Sequence, residues 1–196
     1  MGEEALIGYT GFVGGQLARQ HKFNFLFNSK NISDIENKEF DLVVCAGAPG
    51  AKWLANNNPE QDRKSIDKLI RSLLTISSKF FVLISTVDVY PTPLLVDETM
   101  EIDAKSQQPY GEHRLQLEEF IKSKFKKHLI VRLPALFGKG LKKNFIFDLI
   151  HNQLLSAVHP ESSFQFYNIE NLWNDIKLLR GKKIQLCNIV SIPLKA

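Results

Sequence analysis

Short apolar runs alternate with longer amphipathic segments along almost all of the 196 residues. The runs EALIG, FNFLF, DLVVCAG, KFFVLIST, HLIVRLP and KIQLCNIV predict buried strands, and FQFYN predicts a shorter one. Apolar residues at helical spacing predict helices, of which those within 59–78 and 107–125 are the longest and those near 143–153 and 169–180 come later. Apolar strands that alternate with helices are typical of a parallel sheet covered on both faces. We therefore expect a single α/β domain spanning 1–196.

Composition and charge exclude several classes of protein. The chain is 44% hydrophobic and 23% charged, with a net charge of +4, as in an ordinary globular domain. The densest basic stretch, KSKFKK, falls at a predicted helix end, where cations complement the helix dipole, and no nucleic-acid motif accompanies it. No apolar run approaches the roughly 20 residues of a membrane span, and the acidic start is unlike a secretory signal. We expect a cytoplasmic protein with no nucleic-acid or membrane partner.

The cysteines and histidines do not indicate a metal site. Cys45 and Cys187 each lie in a predicted buried strand, where we interpret them as reduced apolar residues rather than as a disulfide. No cysteine and histidine cluster has the spacing of zinc ligands, and the five histidines are scattered. We therefore assign no metal.

Three glycines follow the first predicted strand directly. In LIGYTGFVGG, Gly8, Gly11 and Gly14 stand three apart, between an apolar run and the helix-like QLARQ. Such glycines permit a tight turn and a close approach of a pyrophosphate, which the free amides at the helix start then bind. The alternative is a glycine-rich turn without a ligand. The residues that we assign to the cofactor here are Gly8, Thr10, Gly11, Phe12, Val13 and Gly14.

The spacing GxxGxxG in GYTGFVGGQLA resembles the extended short-chain dehydrogenase/reductase family, the nucleotide-sugar epimerases, dehydratases and reductases. The likeness runs from about residue 5 to about residue 190. It implies a Rossmann-like, doubly wound parallel sheet with helices on both faces and a bound NAD(P). Only about a dozen residues separate FNFLF from DLVVCAG, so we expect a loop or a single helical turn there. This short crossover looks most like that of the dTDP-4-dehydrorhamnose reductases.

The end of the second predicted strand bears on the choice of dinucleotide. An acidic residue about 20 positions beyond the glycines would bind the ribose hydroxyl of NAD. Here stand Asn28, Ser29 and Lys30, none of which carries a carboxylate, and Ser29 and Lys30 could donate to a 2′-phosphate. We therefore favour NADP over NAD, with the alternative that Lys30 is only a solvated loop residue.

A hydroxyl and a tyrosine match the catalytic pattern of the resembled family. The fourth predicted strand ends in LISTVDVYP, and PYGEHR follows 24 residues after Thr86. The resemblance implies that Thr86 is the catalytic hydroxyl, with Ser85 beside it, and that Tyr110 is the acid/base. A tyrosine, whose pKa is ordinarily near 10, needs a nearby cation to serve as a base near neutral pH. Residue i+4 shares its helix face, so the cation belongs at position 114.

Position 114 departs from the family, which has lysine there. Arg114 keeps the charge that could lower the tyrosine pKa, but its planar guanidinium directs its donors differently from an ammonium. In the family this lysine also bonds the nicotinamide ribose. The resemblance further implies that Ala46, Gly47 and Ala48 of CAGAPG line the adenosine and that Pro134 of IVRLPALFGKG borders the nicotinamide. The alternatives are a plain strand-end turn and a proline that merely ends a strand.

Two functional hypotheses follow. The first is an NAD(P)-dependent oxidoreductase or epimerase that acts on a nucleotide-linked sugar or similar carbonyl. The second is a sensor or regulatory protein that binds a dinucleotide without turnover. Arg114 and the shortness of the chain support this second hypothesis. Members of the resembled family carry a C-terminal substrate lobe, to which only 138–170 could contribute here. We expect a reduced, open substrate region that a partner subunit, as in a homodimer, could complete.

Overall fold

The computed structural model describes residues 2–103, 107–141, 145–152, 159 and 161–195. Its strands are β1 (Glu4–Ile7), β2 (Phe25–Phe27), β3 (Glu39–Cys45), β4 (Ser77–Thr86), β5 (His128–Leu133), β6 (Ala135–Phe137), β7 (Ser163–Phe164), β8 (Phe166–Asn168), β9 (Leu186–Asn188) and β10 (Leu194–Lys195). Its helices are α1 (Phe12–Gln20), α2 (Lys52–Asn57), α3 (Pro59–Leu74), α4 (Pro109–Lys124), α5 (Phe145–Ile150) and α6 (Leu172–Gly181). Single 3₁₀ turns occupy Ile32–Ile35, Val87–Val89 and Ile169–Asn171.

A six-stranded parallel sheet in the order β2-β1-β3-β4-β5-β9 forms the centre of the molecule. The predicted Rossmann-like, doubly wound α/β fold is therefore confirmed. The strand order reverses direction between β1 and β3, and this is where sheets of this kind bind ligands.

Helices cover both faces of the sheet, as the apolar runs predict. On one face, α3 and α4 bury residues such as Ile66, Leu73 and Leu117 against β1, β3 and β4. On the other face, α1 and α6 bury Leu17 and Ile176 against the alternate side chains of the same strands. Pro59 and Pro109 occupy the first turns of α3 and α4, where the missing amide hydrogen costs no helical bond.

The short crossover between β2 and β3 contains a single 3₁₀ turn, Ile32–Ile35, as predicted. The pattern missed α2, β6 and β10. The single short strand predicted at FQFYN is divided into β7 and β8, of which β7 pairs with β10 and β8 pairs with β6. In α2 only Ala55 is buried, while Trp53 and Leu54 are exposed, so this helix has no apolar face that periodicity could show.

The remaining predictions about single residues have mixed outcomes. Cys45 and Cys187 are free, as expected, although Cys187 is only half-buried. Trp173 of α6 packs in the core with Leu17 of α1.

Within the described ranges, no helix is long and apolar enough to cross a membrane. Within the same ranges, no three histidine, cysteine or acidic side chains are grouped so that they could hold a metal ion.

Candidate active site

The candidate site lies where the chain leaves the carboxyl ends of β1, β3 and β4. Since parallel strands end at the same edge of the sheet, the glycine loop after β1, the segment after β3 and Thr86 at the end of β4 come together there. Tyr110 joins them from the first turn of α4. The fold therefore brings the two sequence motifs into one region.

Two of the three loop glycines are required by the packing of the protein itself. Gly8 has φ +88, and a Cβ there would meet the Ala46 carbonyl oxygen at 2.2 Å. At Gly14 a Cβ would meet the Gly8 carbonyl oxygen at 2.1 Å, so α1 rests directly on the loop. These positions let α1 and the end of β3 approach the turn closely.

Gly11 has a different reason to be glycine. Its backbone is extended at φ −76 and ψ 171, a conformation that any residue adopts, and a Cβ would come no closer than 3.3 Å to a protein atom. It is exposed and begins α1, which has no side-chain cap and no acidic residue in its first turn. The amides of Phe12 and Val13 at this helix start are thus suited to an anion. Thr10 is an exposed residue of the turn.

The end of β3 forms the second wall of the loop. The Ala46 amide donates to the Ile7 carbonyl at 2.9 Å, and a Cβ at Gly47 would meet the Ile7 side chain at 2.9 Å. Ala46, Gly47 and Ala48 are all half-buried. Their assignment to the adenosine stays a prediction.

The residues after β2 form a polar turn beside the glycine loop. The Asn28 side chain donates to the Tyr9 hydroxyl at 3.1 Å and accepts from the Lys30 amide at 2.8 Å. Ser29 and Lys30 are exposed. From α3, Lys68 Nζ donates to the Ser29 carbonyl at 3.2 Å, which places a second lysine at this turn. The turn therefore contains one lysine and is contacted by a second, and none of its residues 28–30 carries a carboxylate.

Thr86 and Tyr110 meet at the centre of the site. The Thr86 side chain lies close enough to the Tyr110 hydroxyl to lower its pKa. Tyr110 is only 9% exposed, and its amide donates to Asn56 Oδ1 of α2 at 3.0 Å. Thr86 Oγ1 also accepts from the Asp88 amide at 3.1 Å. The hydroxyl and the phenol that the family pattern pairs are thus neighbours.

Arg114 is buried, and protein groups bind its two terminal nitrogens, whereas its Nε has no hydrogen-bond partner among the described residues. Both of its terminal nitrogens bind the Asp62 carboxylate, with Nη2 at 2.9 Å from Oδ1, and Nη2 also donates to the Pro49 carbonyl. Asp62 additionally binds His113 Nδ1 at 2.7 Å. The guanidinium lies over the Tyr110 ring, 3.9 Å from its centroid, and the residue is 2% exposed. The cation is therefore held against the ring face and neutralised by Asp62.

This arrangement raises the pKa of Tyr110 above its ordinary value. Burial is the largest cause, and the Asp88 and Asp62 carboxylates act in the same direction. Arg114 and the contact with Thr86 oppose the rise without cancelling it. The sequence leads us to expect that Arg114 could lower this pKa, and the structure shows that its effect is outweighed. At neutral pH Tyr110 is therefore a neutral phenol.

Ser85 is engaged elsewhere. Its hydroxyl donates to Glu118 Oε1 at 2.5 Å, and Glu118 forms a buried ion pair with Arg132 at 2.5 Å. Arg132 in turn donates to the Tyr90 hydroxyl at 2.7 Å. Because side chains alternate along β4, Ser85 and Thr86 project from opposite faces of the strand. The structure brings Thr86, but not Ser85, to Tyr110.

Sequence reasoning missed four polar residues around the pair. Three of them bind a predicted site residue directly: Asp62 binds Arg114, Asp88 binds Thr86, and Asn56 binds the Tyr110 amide. The fourth, Lys52, is joined to Thr86 through Asp88. Lys52 and Asn56 belong to α2, which has no periodic signal, and Asp62 lies 52 residues from its partner Arg114. Only Asp88 could have been found from its position two residues after Thr86.

Pro134 lies between β5 and β6 and is half-buried, and its place beside a nicotinamide stays a prediction. The expected substrate region 138–170 falls partly outside the described residues, which lack 142–144, 153–158 and 160. Its described start lies against α1, where the Gln16 side chain donates to the Lys139 carbonyl.

No family model matches the sequence, and no curated protein matches it. Solved structures do match. A dTDP-4-dehydrorhamnose reductase from Bacillus anthracis in complex with NADP is 19% identical with a TM-score of 0.75, covering 100% of this chain and 77% of that one. An NAD-dependent NDP-hexosamine 5,6-dehydratase of tunicamycin biosynthesis is 19% identical with a TM-score of 0.74, covering 100% and 78%. A UDP-N-acetylglucosamine 4-epimerase from Bacillus cereus is 18% identical with a TM-score of 0.70, covering 98% and 77%.

At these identities the matches bear on the fold rather than on the chemistry. The three proteins differ in reaction, and the names of the first two state different cofactors, yet each is superimposable on almost all of this chain. The Rossmann-like fold that the glycine motif predicts is thereby confirmed, and the chain shares this fold with the reductase, the dehydratase and the epimerase.

Proposed function

We propose that the protein is an NAD(P)-dependent oxidoreductase or epimerase that acts on a nucleotide-linked sugar or a similar carbonyl. The observation that carries this proposal is the Thr86–Tyr110 contact at the same sheet edge as an uncapped, glycine-lined helix start. The structurally similar reductase, dehydratase and epimerase support the substrate class. When bound, the dinucleotide would supply or accept the hydride.

The protonation state of Tyr110 favours the reductive direction. A carbonyl that receives a hydride needs a proton at its oxygen, and a phenol that stays neutral at pH 7 can donate one. Thr86 would turn its hydroxyl proton from Asp88 to the substrate oxygen and so hold that oxygen in line with Tyr110. Alcohol oxidation needs the phenolate instead, so it should be slow until the pH approaches the raised pKa of Tyr110.

The test is a pair of pH–rate profiles on nucleotide-linked 4-keto sugars and the corresponding alcohols. We expect reduction to be independent of pH between about 6 and 9 and oxidation to rise throughout that range, since the pKa of Tyr110 lies above 10. Tyr110→Phe should lower turnover by about 10²-fold or more while the affinity for the dinucleotide is kept. Thr86→Val is the companion variant. An active Tyr110→Phe protein would refute the assignment.

The cofactor is proposed to be NADP rather than NAD, since Lys30 and Lys68 flank the exposed turn after β2. Fluorescence titration should show tighter binding of NADPH than of NADH. Lys30→Glu should weaken NADPH binding by about tenfold and leave NADH binding nearly unchanged, because only a 2′-phosphate is repelled by the new carboxylate. Lys64→Glu, at an exposed position of α3, is the control. Equal affinities for both dinucleotides would remove the assignment.

The second candidate is a protein that binds the dinucleotide without turnover. The specific observation for it is the Arg114–Asp62 pair, since a guanidinium held by a buried carboxylate cannot reach a cofactor ribose as a free lysine could. In this case NADPH should bind with the same preference, and no pH or substrate should give turnover in the unmodified protein. The two candidates therefore differ in the rate measurement and agree in the binding measurement.

A further inference from the structure

An ion pair at the surface continues the polar chain that begins at Tyr110. The Asp88 carboxylate accepts from Thr86 Oγ1 through Oδ2 at 3.3 Å and from Lys52 Nζ through Oδ1 at 2.6 Å. The side chains of Lys52 and Asp88 are 50% and 34% exposed. Lys52 is thus a half-exposed cation that is joined through Asp88 and Thr86 to the buried phenol.

Lys52 has the properties that Arg114 lacks here. Arg114 is buried, and its terminal nitrogens are bound by Asp62, Pro49 and the Tyr110 carbonyl. Lys52 is half-exposed, has a flexible stem and three donors, and shares its carboxylate partner with a residue of the site. It begins α2, and the same short helix holds the Tyr110 amide through Asn56. The helix therefore presents a cation to the site while it fixes the start of α4.

We propose that Lys52 is a positioning residue of the site: it holds the Asp88 carboxylate on Thr86 and supplies the positive charge that Arg114, neutralised by Asp62, does not provide. The inference rests on the proposed function for its catalytic meaning, but the contacts that carry it do not depend on a ligand. Without Lys52 the Asp88 carboxylate would face Thr86 and Tyr110 uncompensated. With Lys52 in place, the negative charge of the Asp88 carboxylate is balanced.

The stability of the fold should depend little on this pair, so the variants should fold. Ion pairs exposed to this extent contribute little because solvent screens them. Besides Asp88, the charged groups that act on Tyr110 are Arg114 of its own helix α4 and Asp62 of α3, which also binds His113 of α4, and the ion pair described for Lys52 is with Asp88. An effect of Lys52 on the phenol must therefore pass through Asp88 or directly through space.

The experiment places 3,5-difluorotyrosine at position 110, since its phenol ionises nearer neutral pH than that of tyrosine and well below the pKa of lysine. Its titration is followed by ¹⁹F NMR in the full chain without ligand. Lys52→Met should raise the pKa of this phenol by about 0.5, the order expected of a screened charge at this range, and Asp88→Asn should lower it by a similar amount. Lys52→Arg should restore the original value. Lys64→Met, which removes an exposed lysine from α3, should change nothing.

The double variant decides whether the effect runs through Asp88. With Asp88→Asn already present, Lys52→Met should have less than half of its effect in the unmodified protein. The proposal would be overturned if Lys52→Met and Lys64→Met gave the same pKa for the phenol. It would also be overturned if Lys52→Met kept its full effect on that pKa when Asp88→Asn is present. The titration needs neither cofactor nor turnover, so the NADPH binding measurement remains an independent test of the proposed function.

Discussion

At the scale of single residues, the buried Arg114–Asp62 pair has a large energetic consequence. Both side chains are almost entirely buried, and both have further partners: Asp62 binds His113 as well, and the terminal nitrogens of Arg114 donate to the Pro49 and Tyr110 carbonyls. Burial raises the pKa of Asp62, but the bonds from Arg114 and His113 outweigh this and lower it below its ordinary value. The carboxylate is therefore charged at neutral pH and depends on its cation.

Removal of Arg114 should destabilise the fold strongly. Arg114→Met leaves Asp62 as a buried charge with His113 as its remaining partner, and we expect a loss of about 3–5 kcal/mol in the free energy of unfolding, measured by urea denaturation. The matched control is Arg63→Met, because Arg63 pairs with Glu112 at 2.5 Å on the neighbouring surface with both side chains about 40% exposed. That variant should lose less than about 1 kcal/mol.

The charge state of Asp62 gives this comparison a pH dependence of known sign. A carboxyl group whose folded pKa lies below its unfolded value, ordinarily near 3.8, stabilises the fold above that value and ceases to do so as the pH falls through the folded pKa. The gap between the two arginine variants should therefore be constant from pH 7 to about pH 5 and shrink below about pH 4. A gap that is small at pH 7, or one that widens in acid, would contradict the role assigned to the pair.

At the scale of elements, Gly14 and Gly11 differ in role. The packing of α1 on the glycine loop requires Gly14, whereas we expect only the binding of a ligand to require Gly11. Gly14→Ala places a methyl group 2.1 Å from the Gly8 carbonyl oxygen, so α1 must move away from the loop. We expect a loss of about 1–3 kcal/mol, as in other overpacked sites. Gly11→Ala introduces no contact below 3.3 Å at an ordinary backbone conformation, so it should leave the unfolding free energy within about 0.5 kcal/mol.

The effects of the two variants on NADPH binding should have the opposite order, with Gly11→Ala the more damaging. A methyl group at Gly11 projects where a pyrophosphate would approach the amides of α1, so Gly11→Ala should weaken NADPH binding by about tenfold or more. The measurement pairs chemical denaturation with NADPH titration for both variants. If Gly11→Ala bound NADPH as tightly as the unmodified protein, the loop would be a structural turn, as the alternative interpretation of the sequence holds.

The elements that the sequence predicts are those whose apolar residues face the core in register. The strands β1, β3, β4 and β5 are continuous apolar runs because both of their faces are covered. The sequence does not show α2 because this helix buries one residue, and it does not show β6 because the strand pairs with β8 about 30 residues further along the chain. The period of apolar residues reveals elements that bury one face through residues close together in sequence. Neither α2 nor β6 depends on such a face.

At the scale of the whole molecule, the sheet order explains why part of the site could be predicted and part could not. Motifs that directly follow β1, β3 and β4 must meet at one edge, so Gly8, Ala46 and Thr86 could be placed together from the sequence. The charges that govern Tyr110 are set by contacts between α3 and α4 and between α2 and the turn after β4. Those contacts depend on how the helices pack, which no spacing of residues along the chain reveals.

A ligand bound across the loops after β1, β2 and β3 should stabilise the molecule as a unit. At a free NADPH concentration of 100 times its Kd, the free energy of unfolding should rise by about 2.7 kcal/mol, which for a chain of this size corresponds to roughly 5–10 °C in Tm. NADH at the same concentration should give a smaller shift, and Gly11→Ala, if it weakens binding about tenfold, should remove about half of the NADPH shift while its own ligand-free Tm stays nearly unchanged. Inorganic pyrophosphate serves as the control for simple charge binding. The absence of any shift with both dinucleotides would show that the edge of the sheet does not hold a dinucleotide, since binding to the folded state alone cannot fail to raise its stability.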